Sequence, residues 1–516
     1  GHVSYANCGL PYYVGGVIQD EEALLLQTPE SLHARFRLDV RVATEVIAIN
    51  PAEKYVLVKN LLSKEETRIS YDKLVLSPGA TPVIPPIPGI ERAMTLRTVE
   101  DVEKIFSRVQ EKPKTAVVIG GGFIGVEIAE NLVHKGIATS IVEAAPQLLA
   151  PLDSEMATFV AKEMRMHGVD VHLGTSASNI TSDSVSLSNG VTIPAEMVIL
   201  AIGVRPDIAL AKAANLEIGT RGGIYVDEFN RTSDFDIYAV GDAAEKIDAL
   251  DSTSTLVPLA NLANRHGRVV ADHIAGRKIR AVKTIGTAIV KVFDLTVATS
   301  GWNEKRLAST ERKYSVIHSH PNSHAGYYPG AKQMSLKLIF DSVTGEILGA
   351  QGVGTEGVDK RIDVLATAIR GGITAPELAD LELAYAPPFG SAKDPVNMLG
   401  YIAENIMSGL LQTAQWNQIN EFTDRGFQLL DVRTTSEFAN GSIPGATSMP
   451  VDEIRDRSAE LTNKNILVNC QVGQRGHTAT MLLKELGFNA INLDGGYLTW
   501  SNSPASTTNK EKEHVS

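Results

Sequence analysis

Short apolar runs punctuated by glycine recur along the chain, and each predicts a buried strand. The run at 115–119 leads at once into Gly120-Gly-Gly-Phe-Ile-Gly125, and residues 126–135 then have the pattern of a helix. A second strand is predicted over 138–142, ending at Glu143. Residues 71–81 read as a strand running into a tight glycine turn, and 237–240 as another that ends in Gly241 and Asp242. Further on, 427–433 predicts a strand closing on Asp431-Val-Arg433, and 465–470 a strand whose last residue is Cys470. A helix is expected to open near Gly476. Strand, loop and helix in alternation predict an α/β protein. No run reaches the ~18 apolar residues of a membrane-spanning helix. Residues 502–516 are rich in Ser, Thr, Asn, Lys and Glu and read as a disordered tail.

Composition narrows the classes. A chain of 516 residues has room for several domains, at ~100–200 residues each. A net charge of -12 argues against nucleic acid as a partner, because phosphate binding needs concentrated Lys and Arg. The two cysteines, Cys8 and Cys470, are too few and too far apart for a disulfide scaffold or a zinc site. Two isolated thiols point to a reducing cytoplasm and two separate reactive sites, the alternative being two buried inert cysteines.

Gly120, Gly122 and Gly125 supply the G-x-G-x-x-G spacing, with Phe123 and Ile124 between the last two. The first glycine permits the tight turn, the second admits a pyrophosphate to the backbone, and the third lets helix and strand pack closely. Glu143 follows about 20 residues later, where a carboxylate binds ribose hydroxyls and repels a 2′-phosphate. The site is read as one for NADH, with NADPH as the alternative.

Ser77-Pro78-Gly79 in the first outlying strand and Gly241-Asp242 in the second resemble the flavin motifs of the two-dinucleotide-domain flavoprotein reductases. That resemblance assigns Asp242 to the ribityl chain of FAD, and Pro258, Leu259 and Ala260 to backbone facing the flavin ring. The resemblance implies an FAD domain at 1–112 and 231–285, with an NAD domain inserted at 113–230, and Gly203 is read as a further cofactor contact. The family opens with its own glycine loop, before the residue corresponding to Cys8. This sequence begins at Gly1 without a Met, so it is read as a fragment, the alternative being loss of much of the FAD site.

Cys8 lies in Ala6-Asn7-Cys8-Gly9-Leu10-Pro11, a turn expected to enter a helix, whose N-terminus would lower the thiol pKa. With no second cysteine nearby, a redox thiol here must cycle through a mixed disulfide, a persulfide or a sulfenic acid. The Asn7-Cys8-Gly9-Leu10-Pro11 pattern resembles the coenzyme A-disulfide reductases and their rhodanese-fused relatives, the NADH-dependent persulfide reductases. His324-Ala-Gly-Tyr327-Tyr328 and Ala384-Tyr385-Ala-Pro-Pro resemble that family's α+β dimerisation domain, expected at 286–408. There a tyrosine from each segment, Tyr385 and either Tyr327 or Tyr328, reaches the partner subunit's cysteine site, as a general acid for the departing thiolate. The alternative is a pair of ordinary interface aromatics. The resemblance implies a homodimer, with coenzyme A in the substrate.

Asp431-Val-Arg433, Glu437 to Ala446, and Cys470-Gln-Val-Gly-Gln-Arg475 together resemble a single rhodanese domain over 412–501. Four residues separate Cys470 from Arg475, the loop length of rhodanese sulfurtransferases rather than the longer loop of related phosphatases. Loop N–H groups and the Arg475 charge are expected to favour a thiolate or persulfide on Cys470.

Three functions remain open. One is an FAD-dependent reductase of a coenzyme A disulfide, persulfide or polysulfide. A second is an NADH oxidase or peroxidase, in which Cys8 cycles through sulfenic acid. The third is a non-catalytic redox- or sulfide-responsive binding protein. No metal site is expected: His318, His320 and His324 are read as loop residues without acidic partners. By the resemblance Glu127 lies near the nicotinamide, the alternative being a capped or solvated carboxylate.

Overall fold

The structure, a computed structural model, describes residues 1–506. Its contacts divide the chain into two units: Gly1–Leu148 with Met164–Gly286, and Leu149–Glu163 with the chain from Thr287 onward. Among the described residues, no helix is long and apolar enough to cross a membrane.

In the first unit, the apolar run at 115–119 is the strand Thr115–Ile119, at the centre of a parallel sheet. The sheet order is Asp170–Leu173, Ala138–Glu143, Thr115–Ile119, Met197–Leu200, Met94–Thr95. Strands covered on both faces read as continuous apolar runs rather than as alternation, which is why this one was legible. The following helix is Phe123–His134, three residues earlier at its start than the pattern predicts. Gly125 inside its first turn hides the helical signal, since glycine is a poor helix former judged by propensity alone. Buried Val126, Ile128, Ala129 and Leu132 fix it to the sheet.

The two outlying motifs meet in the fold. Leu74–Leu76 pairs in parallel with Ile237–Ala239, although the whole nucleotide domain lies between them in sequence. An antiparallel sheet, Thr44–Asn50, Tyr55–Asn60 and Glu66–Ser70, shares their core through Ile49, Val56 and Val58.

The second unit holds an antiparallel sheet in the order Ala288–Val292, Leu295–Gly301, Ile347–Gly354, Met334–Asp341, Tyr314–Ser319. Helices Val358–Gly371 and Pro395–Met407 seal it, burying Ile362, Leu365, Val396 and Leu399 with Leu336, Leu338 and Phe340. The C-terminal part is a parallel sheet in the order Thr413–Ala414, Asn489–Leu493, Asn465–Asn469, Gln428–Asp431, Thr447–Ser448. Packed structure extends past the boundary read from composition: Asn502, Ser503 and Ser506 are buried, and Ser503 Oγ donates to the Trp500 carbonyl. The disorder expected from 502 is thus not found as far as Ser506. Polar residues can end a domain when their hydroxyls bond back to the last helix. The remainder of that expected tail, 507–516, lies outside the described residues.

Candidate active sites

The glycine loop takes the shape its spacing requires. Gly120 has φ +114°, and a Cβ there would lie 2.3 Å from the Ala201 carbonyl oxygen. A Cβ on Gly125 would lie 1.9 Å from the Gly120 oxygen, so helix and strand touch through missing side chains. At Gly122, by contrast, a Cβ would meet nothing within 4 Å. Gly122 is also the N-cap of helix Phe123–His134, which has no side-chain cap, so its first N–H groups are available to an anion. Phe123 and Ile124 form the first turn, and Gly203, at φ +112°, follows the neighbouring strand Met197–Leu200. Glu143 ends its strand and accepts from the Gly121 and Ala145 N–H groups, both at 2.7 Å. A dinucleotide pyrophosphate fits this cradle.

Because Leu74–Leu76 and Ile237–Ala239 run parallel, the turns that follow them, Ser77-Pro78-Gly79 and Gly241-Asp242, stand side by side. Ligands of open α/β sheets bind at such carboxyl ends. Ser77 and Pro78 are exposed, and Asp242 is half-buried. Helix Ala260–Ile274 starts here without a side-chain cap, after Pro258 and its N-cap Leu259. A Cβ on Gly241 would rest 3.7 Å from the Ala263 methyl, so the first helical turn packs on this motif. Open backbone donors, a carboxylate and a glycine turn suit the ribityl chain and ring of a flavin.

Cys8 sits in the short 3-10 turn Asn7–Gly9, exposed, just before helix Leu10–Gly15. With the oxygen and nitrogen of its amide exchanged, Asn7 donates to the Arg97 carbonyl at 3.0 Å and accepts from Arg97 Nη1 at 3.3 Å. Arg97 Nε in turn donates to the Ala80 carbonyl, beside the flavin-type turn. The expected lowering of the Cys8 pKa is not found. Partial burial raises it, and the carboxylates of Glu127 and Asp242 raise it further. Six residues of helix are too short a dipole to outweigh burial together with the carboxyl groups of Glu127 and Asp242. Glu127 is not a solvated residue: it accepts from the Tyr12 hydroxyl at 3.2 Å, and burial pushes it up to about 7.

Tyr327 and Tyr385 belong to the second unit, Cys8 to the first. The two phenols lie 3.1 Å apart on the surface, 77% and 47% exposed. Their hydrogen bond raises the Tyr327 pKa.

Cys470 is fully buried, and its Sγ accepts the Gly473 N–H at 3.1 Å. The helix after it begins at Gln474, with Gly473 at φ +94° as its N-cap. The loop is braced from outside. Tyr497 N–H donates to the Cys470 carbonyl at 2.7 Å, and Leu498 N–H to the Gln471 carbonyl at 3.0 Å. Arg433, paired with buried Asp431, donates to Gln471 Oε1 at 3.1 Å. Arg475 supplies the positive charge expected beside Cys470, and it has a partner that the sequence did not announce. Its guanidinium grips Glu437 with two bonds of 2.7 and 2.6 Å, holding that carboxylate down to about 2.

The histidine reading needs a larger correction. His318 lies within strand Tyr314–Ser319, and both ring nitrogens meet carboxylates: Nδ1 to Asp494 at 2.6 Å and Nε2 to Glu155 at 3.0 Å. His320 is buried between Ser335 Oγ at 2.9 Å and Thr499 Oγ1 at 2.7 Å. Beside them Lys337, also buried, pairs with Asp153, Glu155 and Glu304. A cavity of about 300 Å³ opens where His318, His320, Val472 and Gly473 meet. Sequence reasoning missed Tyr12, Glu155 and Asp494 altogether and gave Glu437 no partner, because nothing in local spacing announces a contact across sheets.

Comparisons with known proteins bear on both sites. Residues 1–267 match the pyridine nucleotide-disulphide oxidoreductase family, 287–395 the dimerisation domain of the same family, and 415–503 the rhodanese-like domain. A coenzyme A disulfide reductase of Staphylococcus haemolyticus is 33% identical over 406 residues, covering 78% of this chain and 92% of that protein. The crystal structure of reduced Bacillus anthracis CoADR-RHD is 48% identical with a TM-score of 0.95, covering 97% of this chain and 91% of that one. An NAD-dependent persulfide reductase from A. fulgidus is 36% identical with a TM-score of 0.91, covering 97% and 93%.

Proposed function

The chain belongs to the pyridine nucleotide-disulphide oxidoreductase family, and from that premise we propose that it reduces the sulfur–sulfur bond of a coenzyme A disulfide, persulfide or polysulfide at Cys8. The observation that carries this reading is the lone thiol: Cys8 has no second cysteine in its unit and stands among Asp242, Glu127 and the Arg97-linked flavin-type turn. When bound, FAD and NADH supply the two electrons that the reduction consumes.

Ser77, Pro78, Gly79, Gly241, Asp242, Pro258, Leu259 and Ala260 hold the flavin. Gly120, Gly122, Phe123, Ile124, Gly125 and Gly203 hold the dinucleotide, and the Glu143 carboxylate favours NADH by repelling a 2′-phosphate. The Cys8 thiolate attacks one sulfur of R–S–S–R, forming Cys8–S–S–R and expelling RS⁻. With a persulfide R–S–SH, attack on the outer sulfur leaves a Cys8 persulfide and releases the thiol. Tyr327 and Tyr385 of a second subunit protonate the departing thiolate, so the working form is a homodimer. Cys470 is the sulfur carrier: its thiolate takes the outer sulfur of a persulfide R–S–SH and releases the thiol, on a loop whose Gly473 N–H meets Sγ. Two free thiols fit a reducing cytoplasm.

The test is anaerobic NADH oxidation by the purified FAD-loaded protein, its Cys8→Ser variant and its Cys470→Ser variant. Each is offered coenzyme A disulfide, coenzyme A persulfide and polysulfide, with sulfide release followed. Turnover that requires Cys8 and a sulfur substrate is expected. Turnover of oxygen or peroxide alone would replace this reading with an oxidase.

A further inference from the structure

The turn and helix that brace the sulfur-carrying loop are themselves bonded to residues outside the rhodanese-like domain, His318 to Asp494 and His320 to Thr499. We propose that His318, on the edge strand of the dimerisation sheet, is a positioning residue for Cys470, acting through Asp494 and the turn that follows it. The inference rests on the reading of Cys470 as a sulfur carrier and adds the device that sets its geometry.

The chain of contacts is short and buried throughout. Asp494 Oδ2 receives two bonds from His318, one from the backbone N–H at 2.8 Å and one with ring Nδ1 at 2.6 Å. Nε2 on the far side of the ring is fixed by Glu155 at 3.0 Å, so the imidazole cannot rotate away. Next to Asp494, Gly495 and Gly496 have φ of +63° and +59°. That conformation folds the chain back onto the loop. A Cβ on Gly495 would lie 2.7 Å from His318 Cβ, and one on Gly496 would lie 2.3 Å from the Cys470 carbonyl oxygen. Only glycines allow this turn to pass between the histidine and the cysteine. The helix Gly496–Ser501 that it opens aims the N–H groups of Tyr497 and Leu498 at the carbonyls of Cys470 and Gln471. Thr499, in the same helix, is bonded to His320, just past the end of the strand that carries His318.

The consequence for chemistry is directional. Fixing the carbonyls of Cys470 and Gln471 fixes the peptide planes that carry the Gln471 and Val472 N–H groups, and so limits where the next one, the Gly473 N–H that meets Sγ at 3.1 Å, can stand. Preorganised donors around a charged sulfur act without reorganising, and a shift of the loop would weaken them. The rhodanese-like domain therefore takes the geometry of its sulfur site from the reductase to which it is joined.

Two replacements separate positioning from mere support. Asparagine retains a donor where Nδ1 stands and glutamine one where Nε2 stands, while both lose the ring and its charge. In the Cys8→Ser background, where Cys470 is the one remaining thiol, His318→Asn is expected to keep near wild-type rates of Cys470 alkylation and of sulfur transfer from thiosulfate to cyanide. His318→Gln is expected to lower both by roughly 10- to 100-fold, the cost of misplacing a reacting group by about 1 Å, with kcat falling more than the KM for thiosulfate changes. Equal rates in the two variants, at matched thermal stability, would overturn the proposal. Absence of thiosulfate transfer in the parent protein would count against the sulfur-carrier reading instead, and the alkylation rates would still decide the positioning.

Discussion

The Tyr12 hydroxyl donates to Glu127 Oε1 across 3.2 Å, tying the helix that follows Cys8 to the helix that follows the glycine loop. Burial pushes Glu127 up to about 7 and the Tyr12 bond works against that rise. The Glu127 charge in turn helps hold the Cys8 thiol above its ordinary range. Glu127→Gln is therefore expected to lower the Cys8 pKa. The measurement is the pH dependence of alkylation in a Cys470→Ser background. A midpoint unmoved by the substitution would leave burial and Asp242 as the whole cause.

The glycine loop allows a paired test. Gly125→Ala places a Cβ against the Gly120 carbonyl, 1.9 Å away before relaxation. It is expected to cost about 1–3 kcal/mol, the range for overpacking. Gly122→Ala meets open space and has no positive φ, so thermal stability should hold. Its methyl occupies the approach of the pyrophosphate, so the KM for NADH should rise. If Gly122→Ala binds NADH as the parent does, the dinucleotide does not cross this glycine.

Arg475→Lys keeps the charge beside Cys470 but gives up the planar fork on Glu437. The two side chains are 36% and 33% exposed, so solvent screens the pair and the stability cost should be on the order of 1 kcal/mol. Released from the fork, Glu437 should titrate closer to the ordinary 4.5 than to about 2. Sulfur transfer from thiosulfate should fall, as a point charge does not hold the loop rim in one geometry. An unchanged rate would reduce Arg475 to a brace for Glu437.

The buried histidines set opposite limits on pH stability. His318 is raised from 6.5 to about 9 by its two carboxylates, which overcome burial. Its folded form binds the extra proton, so its contribution is complete below about pH 6.5 and is lost as pH rises through about 9. Burial lowers His320 from 6.5 to about 3, so there the unfolded chain takes the proton and stability falls as pH drops through that window. Thermal unfolding followed against pH should show both limbs. His318→Asn should flatten the alkaline one. An alkaline limb of unchanged slope would mean that His318 is neutral in the folded protein.

Much of the fold was legible because it is local. Four of five consecutive positions in Thr115–Ile119 are buried, and that alone marks a strand covered on both faces. The glycine spacing at Gly120, Gly122 and Gly125 encoded both a close packing contact and an open approach. The flavin-type motifs were read as a pair from their order, but only strand pairing between Leu74–Leu76 and Ile237–Ala239 makes them neighbours. The errors share one cause. Cys8 was given a lowered pKa and His318 a polar loop without acidic partners, each judged from its sequence neighbours.

By itself, then, the sequence determined the strand–loop–helix units, the nucleotide loop, the two solitary thiols and the order of domains. Each of these depends on residues within a few positions of one another, or on a count. Tertiary structure alone decided the electrostatics: that Glu127 faces Tyr12 and Cys8, that Glu437 neutralises Arg475, and that His318 joins Glu155 to Asp494. Charge and burial act through space over a few ångströms, and residues far apart along the chain reach that distance only when sheets and helices have packed.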